Sequence, residues 1–99
     1  MCEVGFNAGH STALWLHANP LVHVHSFDIQ HKTDVVGLLQ RQFPGRLHTY
    51  TGDSATLIGP TTLPAPCDLV HIDGRHDYTH TVGDFLSLQP KVQPRRVAV

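Results

Sequence analysis

The stretch EVGFNAGHST, residues 3–12, decides the fold of this 99-residue chain. It follows a short apolar run, holds Gly5 and Gly9 four positions apart, and continues into small polar residues. Glycine lets the backbone turn sharply and lets a ligand approach it closely. A strand that enters such a loop and leaves it as a helix is typical of α/β folds that bind small ligands. The stretch therefore predicts a strand-to-helix loop at a ligand site.

Composition restricts the class of protein. The chain is 40% hydrophobic with a formal net charge of −1, which is typical of one globular domain over residues 1–99. Seven basic against eight acidic residues leave no excess charge for nucleic acid. No apolar run approaches a membrane span or a signal peptide. The widely spaced Cys2 and Cys67 favour a reducing compartment, so we expect a cytoplasmic protein.

Strand and helix patterns alternate along the whole chain. The alternation predicts a parallel sheet between layers of helices, a Rossmann-like three-layer sandwich with strand order 3-2-1-4-5. The chain begins within one strand and ends as the fifth begins, so we expect a partial domain, truncated before the last strands, whose 99 residues alone are a poor enzyme. The predicted strands cover residues 2–4, 21–28, 46–53, 67–74 and 95–99; the predicted helices cover residues 10–18, 33–43 and 77–89.

Each of the first four predicted strands ends in, or is directly followed by, an acid, a glycine or both. These corners are Gly5 to Gly9, Asp28, Gly52-Asp53 and Asp73-Gly74. The carboxyl ends of parallel strands meet at one edge of the sheet, where ligands bind. Any single corner is also explained by the ordinary use of Asp and Gly in turns and helix caps. Four such corners together favour a binding site.

Asp28 and the first loop indicate the kind of ligand. Asp28 follows Gly9 by 19 residues, about the spacing at which an acid meets ribose hydroxyls. The alternative role for Asp28 is a helix cap. The loop lacks the third glycine of G-x-G-x-x-G, and Glu3 adds negative charge beside it. Both features disfavour a pyrophosphate, and hence a dinucleotide-dependent oxidoreductase.

Four motifs carry a family resemblance: EVGFNAGHSTALWL, VHSFD, GDS and DLVHIDGRHDY. In this order they resemble class I S-adenosylmethionine-dependent methyltransferases, and in particular the small-molecule O-methyltransferase-like group with an IDG-x-H-x-Y motif. The resemblance spans nearly the whole chain, and the first and fourth motifs are the most specific. It implies S-adenosylmethionine as cofactor and methyl transfer to an oxygen of a small molecule. The alternative is a non-catalytic nucleotide-binding module, or remnant, that keeps the cofactor pocket without turnover.

The resemblance also implies which residues contact the cofactor. The first loop would lie beneath its amino acid part, with Glu3 orienting that part through backbone and water. Asp28 would take the ribose hydroxyls, and Asp53 with Ser54 would lie near the adenine. The full set of expected cofactor residues is Glu3, Gly5, Phe6, Asn7, Gly9, Ser11, Asp28, Asp53 and Ser54.

Two residues after the fourth strand are the catalytic candidates. The resemblance implies that Asp73 faces the methyl group and the acceptor. His76 follows at the same strand end, where an imidazole can remove a proton from an acceptor hydroxyl at neutral pH. The alternative for His76 is a cap or packing contact with the following helix, in which case Asp73 or a residue outside this sequence would remove the proton. Arg75 stands where relatives commonly carry a second acid, so a divalent metal lacks support and no metal ligands are assigned.

The other histidines form no predicted site. His23 and His25 lie on one face of the second strand and would bind zinc or copper given a third ligand. No Cys or acid pattern supplies that ligand, so packing or partial exposure is favoured. His31 and His48 are predicted to lie on the surface, as are His17 and His80.

The cysteines and the sheet edge complete the predictions. Aligning Gly5 with Asp73 places Cys2 opposite Val70, roughly 10 Å from Cys67 at the rise of a strand. That distance predicts no disulfide. The expected partner is a small-molecule acceptor, with no nucleic acid and no membrane. The unfinished sheet edge predicts self-association.

Overall fold

The computed structural model describes residues 1–58, 61, 63, 67–72, 83, 86 and 89–91. Within these residues, four parallel strands form one sheet in the order β3-β2-β1-β4, which confirms the predicted order of the first four strands. The predicted fifth strand and most of the helix predicted over 77–89 lie outside the described residues. The elements are β1 Cys2–Val4, α1 His10–Ala18, β2 Val24–Asp28, α2 Thr33–Gln42, β3 Leu47–Thr51, α3 Ser54–Leu57, β4 Val70–Ile72 and a 3₁₀ turn Gln89–Lys91.

The strands are shorter than the apolar runs that predict them. β2 begins at Val24, although its apolar run begins at Leu21. Asn19 closes a turn over this segment: its side-chain oxygen accepts the N–H of Leu21 at 2.9 Å, and its carbonyl accepts the N–H of Val22 at 3.2 Å. Leu21 is consequently 84% exposed. Local side-chain bonding to the backbone therefore delays the start of the strand.

Apolar side chains pack on both faces of the sheet. Leu16 of α1 and Leu39 of α2 pack with Val24 of β2 on one face. Phe27 of β2 faces the opposite side, where Ile58 follows α3. Val24 and Phe27 are three positions apart, so the alternation of side chains along a strand directs them to opposite faces. This arrangement confirms the predicted Rossmann-like fold with covered faces.

A disulfide joins Cys2 to Cys67, with Cα atoms 5.6 Å apart, so the prediction of unpaired cysteines is wrong. The predicted register is correct, since Cys2 pairs with Val70. The chain, however, bends at Asp68 and Leu69 instead of continuing as an extended strand, which brings Cys67 back toward β1. Both cysteines are buried. A cytoplasmic location stays a prediction, and unpaired cysteines no longer support it.

Arg46, just before β3, links the amino end of the sheet to α1 through hydrogen bonds. Its Nη2 donates to the carbonyls of Leu16 at 2.8 Å and Asn19 at 2.6 Å, and its Nε donates to Val22 at 2.9 Å. The guanidinium also lies 5.2 Å from the ring centroid of Phe43. Carbonyls near the end of a helix lack partners within the helix, and a cation there is favourable. One side chain thus joins a helix end, a turn and a strand.

Candidate functional site

The glycine loop between β1 and α1 has an uncommon backbone. Gly5, Asn7 and Gly9 have φ angles of 102°, 52° and 81°, all in the left-handed region. At Gly9 the requirement is also one of space. A Cβ atom there would lie 2.8 Å from Cγ1 of Val35 and 3.0 Å from Cζ of Phe6. Helix α2 and the loop therefore pack too closely at Gly9 to accept a side chain.

Asp28, at the carboxyl end of β2, holds this loop in place. Its Oδ2 accepts the backbone N–H of Phe6 at 2.6 Å and that of Asn7 at 3.1 Å. Its Oδ1 accepts the N–H of Gln30 at 3.2 Å. The N–H of Gly5 donates to the carbonyl of Phe27 at 2.8 Å, which continues the ladder up to the loop. The end of β2 and the glycine loop consequently form one hydrogen-bonded unit.

These bonds determine which ligands the loop suits. In phosphate-binding loops the backbone N–H groups face the ligand. Here the N–H groups of Phe6 and Asn7 already donate to the carboxylate of Asp28, and its negative charge repels an anion. A carboxylate has about four acceptor positions, and the described residues fill three of those on Asp28. The remaining position, on Oδ1, suits a hydroxyl donor.

A cleft of about 410 Å³ opens beside this unit. Polar groups from the loop and from the segment after β2 converge on it, together with one large apolar side chain, Ile29, which is 63% exposed. Exposed apolar area beside a convergent polar group is typical of a ligand site. The lining residues are Asn7, Ala8, Asp28, Ile29, Gln30 and Lys32.

His31 is buried near the glycine loop, and the prediction that it lies on the surface is wrong. It is only 8% exposed. Its two ring nitrogens lie 3.2 Å from Oγ of Ser26 and 2.8 Å from Oγ1 of Thr51, and its ring centroid is 5.0 Å from that of Phe6. Burial lowers the pKa of His31, while the nearby Asp28 carboxylate raises it. A neutral imidazole therefore joins β2, β3 and the loop.

Glu3 lies on the α1 side of the sheet and is fully buried. The hydroxyl of Thr12 in α1 donates to its Oε1. A buried carboxylate requires such partners, because desolvating a charge is costly. Glu3 therefore anchors the first turn of α1 behind the loop, and it is not among the residues that line the cleft.

Comparison with known proteins identifies the family. A family model described as a methyltransferase domain matches residues 2–99. The chain belongs to the methyltransferase domain family. Among solved structures, the domain is similar to the apo form of the S-adenosylmethionine-dependent methyltransferase SibL, with a TM-score of 0.67 and 18% sequence identity. The match covers 97% of this chain and 29% of that chain, and at this identity it supports the fold alone.

The comparison with curated proteins finds no relative: no curated protein sequence matches this chain. In the described part of the chain, no helix is long and apolar enough to cross a membrane. The same residues contain no group of three or more His, Cys, Asp or Glu side chains placed to hold a metal ion.

The structure brings together part of the predicted site of the methyltransferase domain. Asn7 and Asp28 line the cleft, whereas the side chain of Phe6 is buried in the core, so only its backbone faces Asp28. Ser11 is exposed on α1. Asp53 is exposed at the end of β3, next to Gly52, whose N–H donates to the carbonyl of Asp28 at 2.9 Å.

Three predicted site residues have no described side chain. Asp73 and His76 lie outside the described residues, and of Ser54 only the backbone, at the start of α3, is described. The cleft also contains four residues that the sequence did not predict: Ala8, Ile29, Gln30 and Lys32. Their position is the signal that could have found them, since all four lie within four residues after Asn7 or Asp28.

Proposed function

We propose that this methyltransferase domain binds S-adenosylmethionine in the cleft beside Asp28 and serves methyl transfer to an oxygen atom of a small molecule. The observation that carries the proposal is the carboxylate of Asp28, which holds the N–H groups of Phe6 and Asn7 and keeps one acceptor position on Oδ1. Such a group suits a ribose hydroxyl and disfavours a phosphate.

The residues of the cleft fit the nucleoside part of that cofactor. Asp28 accepts one ribose hydroxyl at Oδ1, since accepting a second at Oδ2 requires the loop to release an N–H group. Ile29 offers an apolar surface to a flat purine ring. Asp53, beside Asp28 across the β2–β3 ladder, is assigned a contact with the adenine edge.

The amino acid part of the cofactor is assigned to the glycine loop. The left-handed backbone at Gly5 and Gly9 gives this loop its shape, and Glu3 fixes the helix that follows. When bound, S-adenosylmethionine supplies a methyl group on a sulfonium, which is a strong electrophile. The domain contributes by orienting that group and by excluding water from it.

We assign orientation and deprotonation of the methyl acceptor to Asp73 and His76. A general base there takes the proton of the acceptor hydroxyl as its oxygen becomes the nucleophile. His76 is the proposed base because the pKa of an ordinary imidazole is near neutral pH. Asp73 is proposed to orient either the acceptor or this histidine. The cofactor, and not the protein, carries the transferred group, so positioning is the main contribution of the chain.

Calorimetry with two ligands tests the cofactor. S-adenosylhomocysteine, the demethylated product, is expected to bind the full chain with a stoichiometry of one, and NAD⁺ is expected to give no binding heat at the same concentration. Tighter binding of NAD⁺ would overturn the proposal in favour of a dinucleotide-binding protein.

A turnover assay separates the enzyme from the non-catalytic module. The full-length protein, rather than residues 1–99 alone, is incubated with methyl-labelled cofactor and a panel of small phenols, alcohols and carboxylic acids, and labelled products are counted. Transfer to a hydroxylated acceptor, reduced at least tenfold by His76→Gln, is the expected result. Binding of S-adenosylhomocysteine without transfer to any acceptor would support the non-catalytic module.

A further inference from the structure

One wall of the cleft is formed by residues 28–32, which we call the cleft segment. Four of its five residues line the cleft: Asp28, Ile29, Gln30 and Lys32. The fifth, His31, is only 8% exposed and does not line the cleft. The cleft segment therefore turns four side chains toward a ligand and one side chain, His31, into the protein.

Two polar contacts and one ring contact hold His31 in place. Nε2 lies 3.2 Å from Oγ of Ser26 in β2, and Nδ1 lies 2.8 Å from Oγ1 of Thr51 in β3. The ring centroid is 5.0 Å from that of Phe6, whose backbone N–H donates to Asp28. His31 thus connects the cleft segment to two strands and to the glycine loop.

We propose that neutral His31 is a positioning residue for the bound cofactor: it holds the cleft segment in the shape that an S-adenosyl ligand requires, and protonation of its imidazole weakens binding. This role rests on the proposed function and adds to it a dependence of affinity on the charge of one buried side chain. A neutral imidazole has one donor and one acceptor nitrogen, and two hydroxyls can match both. A charged imidazole donates from both nitrogens, so the hydroxyl that donated to the ring must turn and accept instead.

The surroundings of His31 determine the direction of the effect. Burial lowers the pKa of His31, while the Asp28 carboxylate and a hydrogen bond to the backbone of Ser26 raise it. The charged residues that follow along the chain, Lys32 and Asp34, are exposed to solvent. A buried cation gains from contact with water, whereas a ligand in the cleft covers the segment that would have to open. Proton and ligand therefore compete, and each lowers the affinity for the other.

Calorimetry of the full chain with S-adenosylhomocysteine at pH 7.5, 6.5 and 5.5 tests this competition. One linked proton changes an affinity by at most about tenfold per pH unit, and wild type is expected to bind at least about threefold more weakly at pH 5.5 than at pH 7.5. The amide of His31→Gln offers a donor and an acceptor but gains no charge, so its affinity should stay within about twofold over this range. His17→Gln, which removes an exposed histidine from the last turn of α1, is the matched control and should follow the wild-type profile.

The pH profiles separate this role from the proposed function. No binding of S-adenosylhomocysteine by wild type at any of the three pH values would overturn both. Binding with the same pH profile in wild type and His31→Gln would overturn the role of His31 and leave the cofactor assignment intact.

A second measurement needs no variant, and it decides the question even where His31→Gln does not fold. The ring-proton resonance of His31 is followed against pH by nuclear magnetic resonance, with and without S-adenosylhomocysteine. The ligand is expected to lower the midpoint of this titration, because it favours the neutral imidazole. An unchanged or raised midpoint in the presence of bound ligand would contradict the proposal.

Discussion

The two ends of the sheet are built in different ways. At the amino end, a disulfide joins Cys2 to Cys67, and Arg46 donates three hydrogen bonds to backbone carbonyls. At the carboxyl end, Asp28 accepts two backbone N–H groups of the glycine loop, and His31, whose ring nitrogens lie beside hydroxyls of β2 and β3, packs against the Phe6 ring of the loop. The amino end thus has a covalent bond and a multidentate cation, whereas noncovalent contacts hold the loop at the carboxyl end.

The two ends of the sheet are therefore expected to differ in their effects on stability and on ligand binding. Polar contacts at the carboxyl end can rearrange when a ligand offers its own hydroxyl to Asp28, at little cost in packing. A covalent bond at the amino end keeps the strands in register while this happens. We therefore expect changes to the disulfide and to Arg46 to reduce stability more than ligand binding, and changes to the carboxylate of Asp28 to do the reverse.

The largest effect on stability is expected from the disulfide. It closes a loop with a sequence separation of 65, for which the chain-entropy treatment gives about 4 kcal/mol. The Cys2→Ala, Cys67→Ala double variant should lose about that much free energy of unfolding in urea, and reduced wild type should lose a similar amount. A loss below about 1 kcal/mol in both samples would contradict a covalent brace at this end.

A pair of glycine variants sharpens the comparison at the loop. Gly9 and Gly45 both have left-handed φ angles, of 81° and 72°, but only at Gly9 would a Cβ meet other atoms within 4 Å. Gly45→Ala should therefore cost about 1 kcal/mol of backbone strain, and Gly9→Ala about 3 kcal/mol, because overpacking adds to it. Thermal unfolding measures both, and equal losses would show that packing against Val35 is unimportant.

Two arginine variants test how much the hydrogen bonds of Arg46 stabilise the amino end of the sheet. Arg46→Lys keeps the charge but cannot reproduce three bonds to Leu16, Asn19 and Val22, so we expect a loss of about 2 kcal/mol. Arg41→Lys, in the exposed last turn of α2, is the matched control and should change stability by less than about 0.5 kcal/mol. Indistinguishable unfolding curves for the two variants would argue against the brace.

The smallest expected effect is the pH dependence contributed by His31. Burial lowers its pKa in the folded state below 6.5, so the unfolded chain binds more protons between these two values. The contribution of His31 to the free energy of unfolding is therefore fully present above about pH 6.5 and is lost as the pH falls toward its lower pKa in the folded state. His25, whose pKa burial and then His48 lower to about 4, acts in the same direction. His31→Gln should flatten the slope between pH 7.5 and 5.5, and an unchanged slope would assign it to other groups.

The sequence predicted the carboxyl end better than the amino end, for a physical reason. The loop and Asp28 are local features, since glycine spacing and a strand-end acid follow from short stretches of sequence. The disulfide depends on a bend at Asp68 and Leu69, which no apolar pattern indicates. The three carbonyls bound by Arg46 lie 24 to 30 residues away in sequence, so only the folded chain brings them together.

Within the site, the same limit applies to side-chain partners. The spacing from Gly9 predicted Asp28 as a site residue, but not that its carboxylate would accept the N–H groups of Phe6 and Asn7. The sequence predicted His31 on the surface, together with three other histidines. Its burial follows from hydroxyl partners on two strands, Ser26 and Thr51, which the register brings together.

The most direct test of the central claim is the affinity for S-adenosylhomocysteine of Asp28→Asn beside that of Asp34→Asn. Both variants remove one negative charge, but Asp34 lies exposed in the first turn of α2 and does not line the cleft. A charged hydrogen bond is worth about 1.5–3 kcal/mol, so Asp28→Asn should bind about 10–100-fold more weakly in calorimetry. Asp34→Asn should bind within about twofold of wild type. Equal affinities in the two variants, with both folded, would contradict the account.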